Sequence, residues 1–433
     1  MLAHDVRRIE RNIIDISVYV LKWGVVASLV GIGGGLGALA LRRGISMVSD
    51  ATVVLPLWIT PAIGACIAVL IFLWDPQAAG FGTDRYITAV NLRYGSLERK
   101  TAVSKLLASM ATLGFRGSGG IEGPMVLIGG SIANIMDRMP PVRRFFTVHD
   151  RRILTVCGAA GAVGAAFHSP LAGGIFAVEV LYKSSLHYSD LFPAMLSSTM
   201  GFVVYSLLDN AEPLLLIPEY VPDVTNLHYY FLSAIIAGLA ALLFMRTFQL
   251  SRKLASLFPY QRLAPIFGAL IAGLLIANVP QTAGIGLDVI QSMLVSVQPL
   301  SILMLLIAAK ILATSLTVGF GGSGGLVIPA LFVGAACGNA LGGFVAVGQD
   351  GLLASMVVAG MSASLASIAN VPVSAAILLI EMVGLRIAVP ATIGSVIGYI
   401  IGKGNIIYGI AVSSEPAFTR SHSIRESDRT LED

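Results

Sequence analysis

Apolar stretches of about 20 residues recur along the chain, at 15–41, 52–74, 190–208, 229–245, 264–279 and 298–318. That is the length of α-helix that crosses the hydrocarbon of a bilayer. Hydrocarbon offers a bare backbone no hydrogen-bond partner, so only helices and closed barrels span it. A barrel would be written in short alternating segments, which this chain does not use. The fold class read from the sequence is therefore an all-α polytopic membrane protein. Composition agrees: 12% of the 433 residues are charged, about half the ~25% of a soluble domain.

The same observations exclude several functions. The net charge of +4 is spread over short loops, which argues against nucleic acid as a partner. Cys66, Cys157 and Cys337 are far apart within apolar stretches, so they read as small buried apolar residues, and no metal or other cofactor is expected. No HExxH, no Ser/His/Asp set and no Cys/His cluster occurs, so an enzyme is not expected. Arg7, Arg8 and Arg11 ahead of the first apolar run predict a cytoplasmic N-terminus. The expected layout is a cytoplasmic segment at 1–14, a transmembrane domain at 15–411 and a polar tail at 412–433.

The transmembrane part repeats itself. KLLASMATLGFRGSGGIEGP at 105–124 matches KILATSLTVGFGGSGGLVIP at 310–329 without a gap, an offset of 310 − 105 = 205. PQAAGFGTD at 76–84 matches PQTAGIGLD at 280–288, and the segment 158–181 matches 360–383. In the last pair Gly158/Gly360, Pro170/Pro372 and Glu179/Glu381 coincide. Three ordered matches imply an internal duplication, with repeats at about 15–209 and 228–411. Paired membrane repeats, each interrupted by Gly and Pro at the same place, are the pattern of transport proteins whose site lies between the halves.

A Gly-Ser-Gly-Gly run holds a helix poorly, and Pro124 and Pro329 suit the first turn of a new one. The spacing predicts helix starts near 122–124 and 327–329. Free N–H groups at a helix start favour an anion, and two starts brought together would make a site of backbone amides. The other reading of these glycines is close helix packing, which is preferred for GIGGGLGA at 31–38, where Gly31/Gly35 and Gly33/Gly37 have small-xxx-small spacing. Glu122 stands out because its twin is Val327, so the fold needs no acid there. An ionisable group at membrane depth is costly and usually functional. A carboxylate beside an anion site can fill that site itself and leave it on protonation; the alternative is a helix-start acid held by the dipole.

With these features in place, the chain resembles the CLC family of chloride channels and chloride/proton antiporters. The family's Gly-Lys/Arg-Glu-Gly-Pro pattern is similar to Gly120-Ile121-Glu122-Gly123-Pro124, and its Gly-x-Phe-x-Pro pattern to Gly325-Leu326-Val327-Ile328-Pro329. Its Gly-Ser-Gly-Ile-Pro pattern falls on Gly80-Phe81-Gly82-Thr83-Asp84. The resemblance covers about 15–411. It implies two inverted-topology repeats of broken and tilted helices, a homodimer, and chloride or a related small anion, with protons, as cargo. It also implies a home in the inner (plasma) membrane, without the large cytosolic domains that some members carry. Glu122 would be the gate, and Phe81, Gly120, Ile121, Gly123, Leu326, Val327 and Tyr408 would surround the anion. Four departures follow. Phe81 replaces a Ser and cannot donate a hydroxyl, which opens fluoride as an alternative cargo. Ile121 replaces a cation, Val327 replaces a Phe, and Val180 stands where many exchangers carry an inner proton-transfer Glu.

Five further expectations come from the residues alone. Glu179 and Glu381 cap loop amides inside the fold. Asp84 and Asp288 are helix N-caps. His168 is a hydrogen-bonding loop residue. The stretch 137–152, with five arginines, is a solvated loop. The segments 125–136 and 171–183 are too short to span alone.

Overall fold

The computed structural model describes residues 2–139, 146–182, 187–209, 212–218 and 224–405. Sixteen α-helices occur among them, eight in each half. The first half holds α1 (Leu2–Ala51), α2 (Thr60–Trp74), α3 (Thr83–Leu92), α4 (Lys100–Gly114), α5 (Glu122–Asp137), α6 (Val148–Ala166), α7 (Pro170–Glu179) and α8 (Tyr188–Leu208). The second holds α9 (Leu227–Ser256), α10 (Ala264–Asn278), α11 (Leu287–Val295), α12 (Leu300–Gly319), α13 (Val327–Val345), α14 (Asp350–Ala369), α15 (Pro372–Val383) and α16 (Ala388–Gly402). Helix by helix, the halves correspond as the duplicated sequence requires.

Among the described residues eight segments are long and apolar enough to cross a membrane, including Tyr19–Ala51, Leu300–Gly319 and Asp350–Ala369, and the chain is a multi-pass integral membrane protein. Side-chain size is sorted as hydrocarbon dictates. On α9 the inward face is mostly small, with Ser233, Ala234, Ala237 and Ala241 buried, while Phe231, Leu232, Ile235, Leu239 and Leu243 point outward. Lipid solvates large apolar side chains as well as a protein core does, so packing is left to residues that let backbones approach. The glycines of α1 behave as expected of packing residues: a Cβ on Gly31 would strike the Ser197 carbonyl, and one on Gly35 that of Gly201, both on α8.

The apolar stretch 52–74 contributes only the 15 residues of α2 as helix. Pro56 and Pro61 keep its first part in turns, because each lacks the N–H that a continuing helix would use. The segments judged too short to span alone are the 16-residue α5 and the 10-residue α7. Of the cysteines, Cys157 and Cys337 are buried as expected, whereas Cys66 lies exposed among the outward residues of α2. The arginine-rich stretch is not all loop. Thr147 and Asp150 form a capping box that starts α6 at Val148. Arg152, one turn in, is buried and donates to Asp190 Oδ2 at 2.7 Å. A guanidinium of this kind can be buried because a fully enclosed carboxylate pairs with it.

The repeats clasp each other through reciprocal contacts. Ser109 Oγ lies 2.8 Å from Ser323 Oγ, and Ser118 Oγ lies 3.0 Å from Thr314 Oγ1. These are one contact seen twice, since 109 + 205 = 314 and 118 + 205 = 323. The two short helices do the same. Glu179, at the end of α7, accepts hydrogen bonds from the Val373 and Ser374 amides at the start of α15, at 3.0 and 2.7 Å, and from the Ser374 hydroxyl. Glu381 of α15 accepts from the Leu171 and Ala172 amides at the start of α7, at 3.0 and 2.8 Å. Each carboxylate therefore satisfies N–H groups that a helix start leaves open, which is the capping role read from the sequence.

A buried donor left without a partner costs roughly 1–3 kcal/mol. Glu179 is buried and serves three donors, whereas the Leu171 amide bonded by Glu381 is exposed. Glu179→Ala should therefore lower the free energy of unfolding by about 3 kcal/mol and Glu381→Ala by about half as much. Thermal unfolding in detergent tests the order; equal midpoints for the two variants would contradict it.

Candidate functional site

The two Gly-Ser-Gly-Gly runs meet. Gly120 and Gly325 form an antiparallel bridge, with Gly120 N–H donating to Gly325 O at 2.8 Å and Gly325 N–H donating to Gly120 O at 2.6 Å. The bridge delivers two helix starts to one place: α5 begins at Glu122 with Ile121 as its cap residue, and α13 begins at Val327 with Leu326 as its cap residue. Neither cap residue uses its side chain, so the first amides of both helices remain available to an acceptor. These are the helix starts that the Gly and Pro spacing predicts.

Glu122 fills one of them. Its side chain is fully buried, and Oε1 accepts a hydrogen bond from the Val327 amide at 2.7 Å. The amides of Leu326 and Ile328 lie alongside, while Oε2 is buried without a hydrogen-bond partner. The fit requires glycine on both sides of the bridge, because a Cβ at Gly120 or at Gly325 would overlap the carboxylate. The acid thus belongs to one repeat and rests on the helix start of the other.

A third helix start lies against the first. Gly82 precedes α3 with φ +88°, and its carbonyl neighbour Phe81 O would collide with a Cβ on Gly123. A buried lysine, Lys105, holds this loop by donating to Ala78 O at 3.0 Å and Gly80 O at 2.6 Å. Its twin Lys310 reaches Thr282 O and Gly284 O at 3.2 and 3.1 Å. Both lysines stand in the duplicated motif, and their recurrence inside apolar helices was the available signal of this tie. Asp84 and Asp288 are not N-caps. Gly82 and Gly286 hold those positions, both with positive φ, and the two acids fall in the first turns of α3 and α11. A cap residue with positive φ is most easily glycine, which puts the carboxylates two positions further into the helix.

Phe81, Gly120, Ile121, Glu122, Gly123, Leu326 and Val327 are thus gathered at three converging helix starts. Their side chains, where they have them, are buried. Phe81 packs edge-on against Phe248 at 5.9 Å, with the Arg252 guanidinium 5.4 Å from its ring centre. Val180 is buried at the end of α7 and offers nothing to titrate. His168 bonds the Glu212 carbonyl through Nδ1 at 2.8 Å in a left-handed turn, φ +52°, matched by its twin Asn370 at +58°. Tyr408 lies outside the described residues.

Amides converging on a buried carboxylate make an arrangement whose electrostatics favour negative charge. Comparison with known proteins points the same way. The voltage gated chloride channel family matches residues 63–403. An uncharacterised protein of Methanocaldococcus jannaschii is 30% identical over 396 residues, covering 90% of this chain and 96% of that one. A slow cyanobacterial Cl-/H+ antiporter superposes with a TM-score of 0.74 at 21% identity, over 91% of this chain and 96% of that one. A CLC-type fluoride/proton antiporter superposes with a TM-score of 0.76, also at 21% identity, over 91% and 98%. Two inverted-topology repeats, their broken helices and the matched family together place the chain, which is a member of the CLC family of chloride channels and transporters.

Proposed function

We propose that this protein carries chloride or a similar small anion across the inner (plasma) membrane, within a transport domain spanning about 15–411 and as a homodimer, and that Glu122 is its gate. The observation that carries the reading is the Glu122 carboxylate bonded to the Val327 amide between the two glycine runs. An ionised carboxylate and a mobile anion compete for the same N–H groups, so the pathway is shut while Glu122 is seated and charged. Protonation removes the charge to which the amides respond. The side chain then leaves, and the anion takes its place against Gly120, Ile121, Gly123, Leu326 and Val327. Tyr408 completes the site on this reading.

A second cargo is favoured by one specific observation. Phe81 puts an aromatic ring where a hydroxyl would bind chloride, and its ring is committed to Phe248 and Arg252. Fluoride, smaller and more strongly hydrogen-bonded, is the alternative anion. Flux from liposomes loaded in turn with chloride, fluoride and nitrate, with proton movement recorded together, separates these cargoes. Uphill proton movement driven by an anion gradient marks an exchanger, and its absence marks a channel.

Two predictions follow from the seated carboxylate and the ring. Flux should rise as pH falls, because acid neutralises Glu122. Hydrogen bonds to a charged acceptor contribute about 1.5–3 kcal/mol, so Glu122→Gln and Glu122→Ala should raise flux at neutral pH by about tenfold or more and flatten its pH profile. Wild-type pH dependence in both variants would leave Glu122 as a helix-start acid only. Phe81→Ser should tighten chloride several-fold, the scale of one hydrogen bond at about 1 kcal/mol; unchanged affinity and selectivity would mean that position 81 does not face the anion.

A further inference from the structure

Arg116 is held in an unusual way. It lies in the same glycine-rich run as the site and adopts φ +66°, a left-handed conformation that long side chains rarely take. Its twin position is Gly321, at φ +107°, the residue expected there. One repeat thus keeps glycine while the other forces an arginine into the same backbone. A strained residue of this kind persists where something else depends on its side chain.

The side chain opens onto a cavity of about 370 Å³ between the end of α1 and the loop before α11, lined by Arg42, Ser49, Arg116, Gly284 and Gly286, with Asp50 and Asp288 also in its wall. The loop is stitched to the run itself, with Gly284 N–H donating to Arg116 O and Gly119 N–H donating to Gly284 O. The two arginines are half-buried, whereas both acids are exposed at the rim, and neither arginine forms an ion pair among the described residues. Arg116 spends one donor on the Ser49 carbonyl at 3.1 Å, while its Nε is buried with no partner. Arg42 lies 3.5 Å from His168 Nε2 and beside the Tyr205 hydroxyl, with no acid paired to it among the described residues. The duplicated hollow around Gly321 is walled largely by Val69, Phe72, Leu73 and Phe320, with Arg262 at one side. Of the two related hollows, this one carries an arginine at the very position where the other repeat supplies glycine.

We propose that Arg116 and Arg42 form an antechamber that captures a hydrated monovalent anion before it reaches the Glu122 site. The ligand is a small inorganic anion because the cavity is small and holds two separate guanidinium groups, with Ile45, Leu113, Ile285 and Leu287 also in its wall. This inference rests on the anion-transport reading and adds to it a second, outer binding step. Guanidinium groups raise the local concentration of anions and their entry rate, an effect that salt screens.

The test measures initial flux against anion concentration in liposomes for wild type, Arg116→Gly, Arg116→Lys and Arg42→Gln. Arg116→Gly should raise the KM by about three- to tenfold with the maximal rate unchanged. Its thermal midpoint should be unchanged or higher, because glycine relieves the left-handed backbone. Arg42→Gln should raise the KM in the same direction. Arg116→Lys should stay within about twofold of wild type, and the difference between wild type and Arg116→Gly should shrink when ionic strength is raised with an impermeant salt. A KM that does not move in Arg116→Gly, or one that rises together with a lowered midpoint and ignores ionic strength, would show that Arg116 only ties Ser49 and would overturn the antechamber. Wild-type protein that carries no anion overturns the transport reading along with it, whereas transport with an unmoved KM overturns this inference alone.

Discussion

A backbone broken inside a membrane must find partners for its N–H and C=O groups within the protein. Here the two breaks serve each other. Gly120 and Gly325 exchange both of their hydrogen bonds, and everything at the site is referred to that exchange: the meeting of α5 and α13, the closeness of Glu122 to Val327, and the glycines that leave room for its carboxylate. Pairing two defects also explains why the breaks are not simply repaired to helix. Either run alone would leave polar backbone stranded, and only the pair is neutral with respect to the surrounding hydrocarbon.

The duplication supplies a scaffold that is nearly two-fold in its contacts and uneven in its chemistry. Ser109/Thr314, Ser118/Ser323, Lys105/Lys310 and Glu179/Glu381 keep the same work in both halves. Glu122/Val327, Phe81/Ile285 and Arg116/Gly321 do not. The conserved pairs are those that hold backbone in place, and such a task is identical on both sides of an approximate two-fold. On the proposed reading the divergent pairs lie where an ion would pass, and a pathway with two different ends has no use for symmetry there.

Much of this was legible in the chain before any coordinates. Spanning-length apolar runs specify helices in lipid, and the 205-residue offset locates both breaks within a few residues, because Gly and Pro act through local backbone chemistry. Glu179 and Glu381 could be read as structural from their duplication. What could not be read depends on partners distant in sequence. Arg152 looks solvated in a basic stretch, since nothing near it announces Asp190, 38 residues on. Asp84 and Asp288 look like caps until the left-handed glycines before them are seen. Proline turns shorten α2 below what its hydropathy implies, and the outward position of Cys66 could not be read because periodicity on an all-apolar helix carries no directional signal.

The reciprocal clasp of α7 and α15 has a consequence for how the protein is made. Glu179 emerges from the ribosome 194 residues before the Val373 amide that it will bond, and Gly120 emerges 205 residues before Gly325 (325 − 120). Throughout that interval the first repeat sits in the bilayer with its broken helix unpaired and a carboxylate uncapped. Neither half can complete these contacts alone, so the backbone groups of the first wait for those of the second. Contacts of such long sequence separation are slow to form, so the site is completed only when the two halves dock.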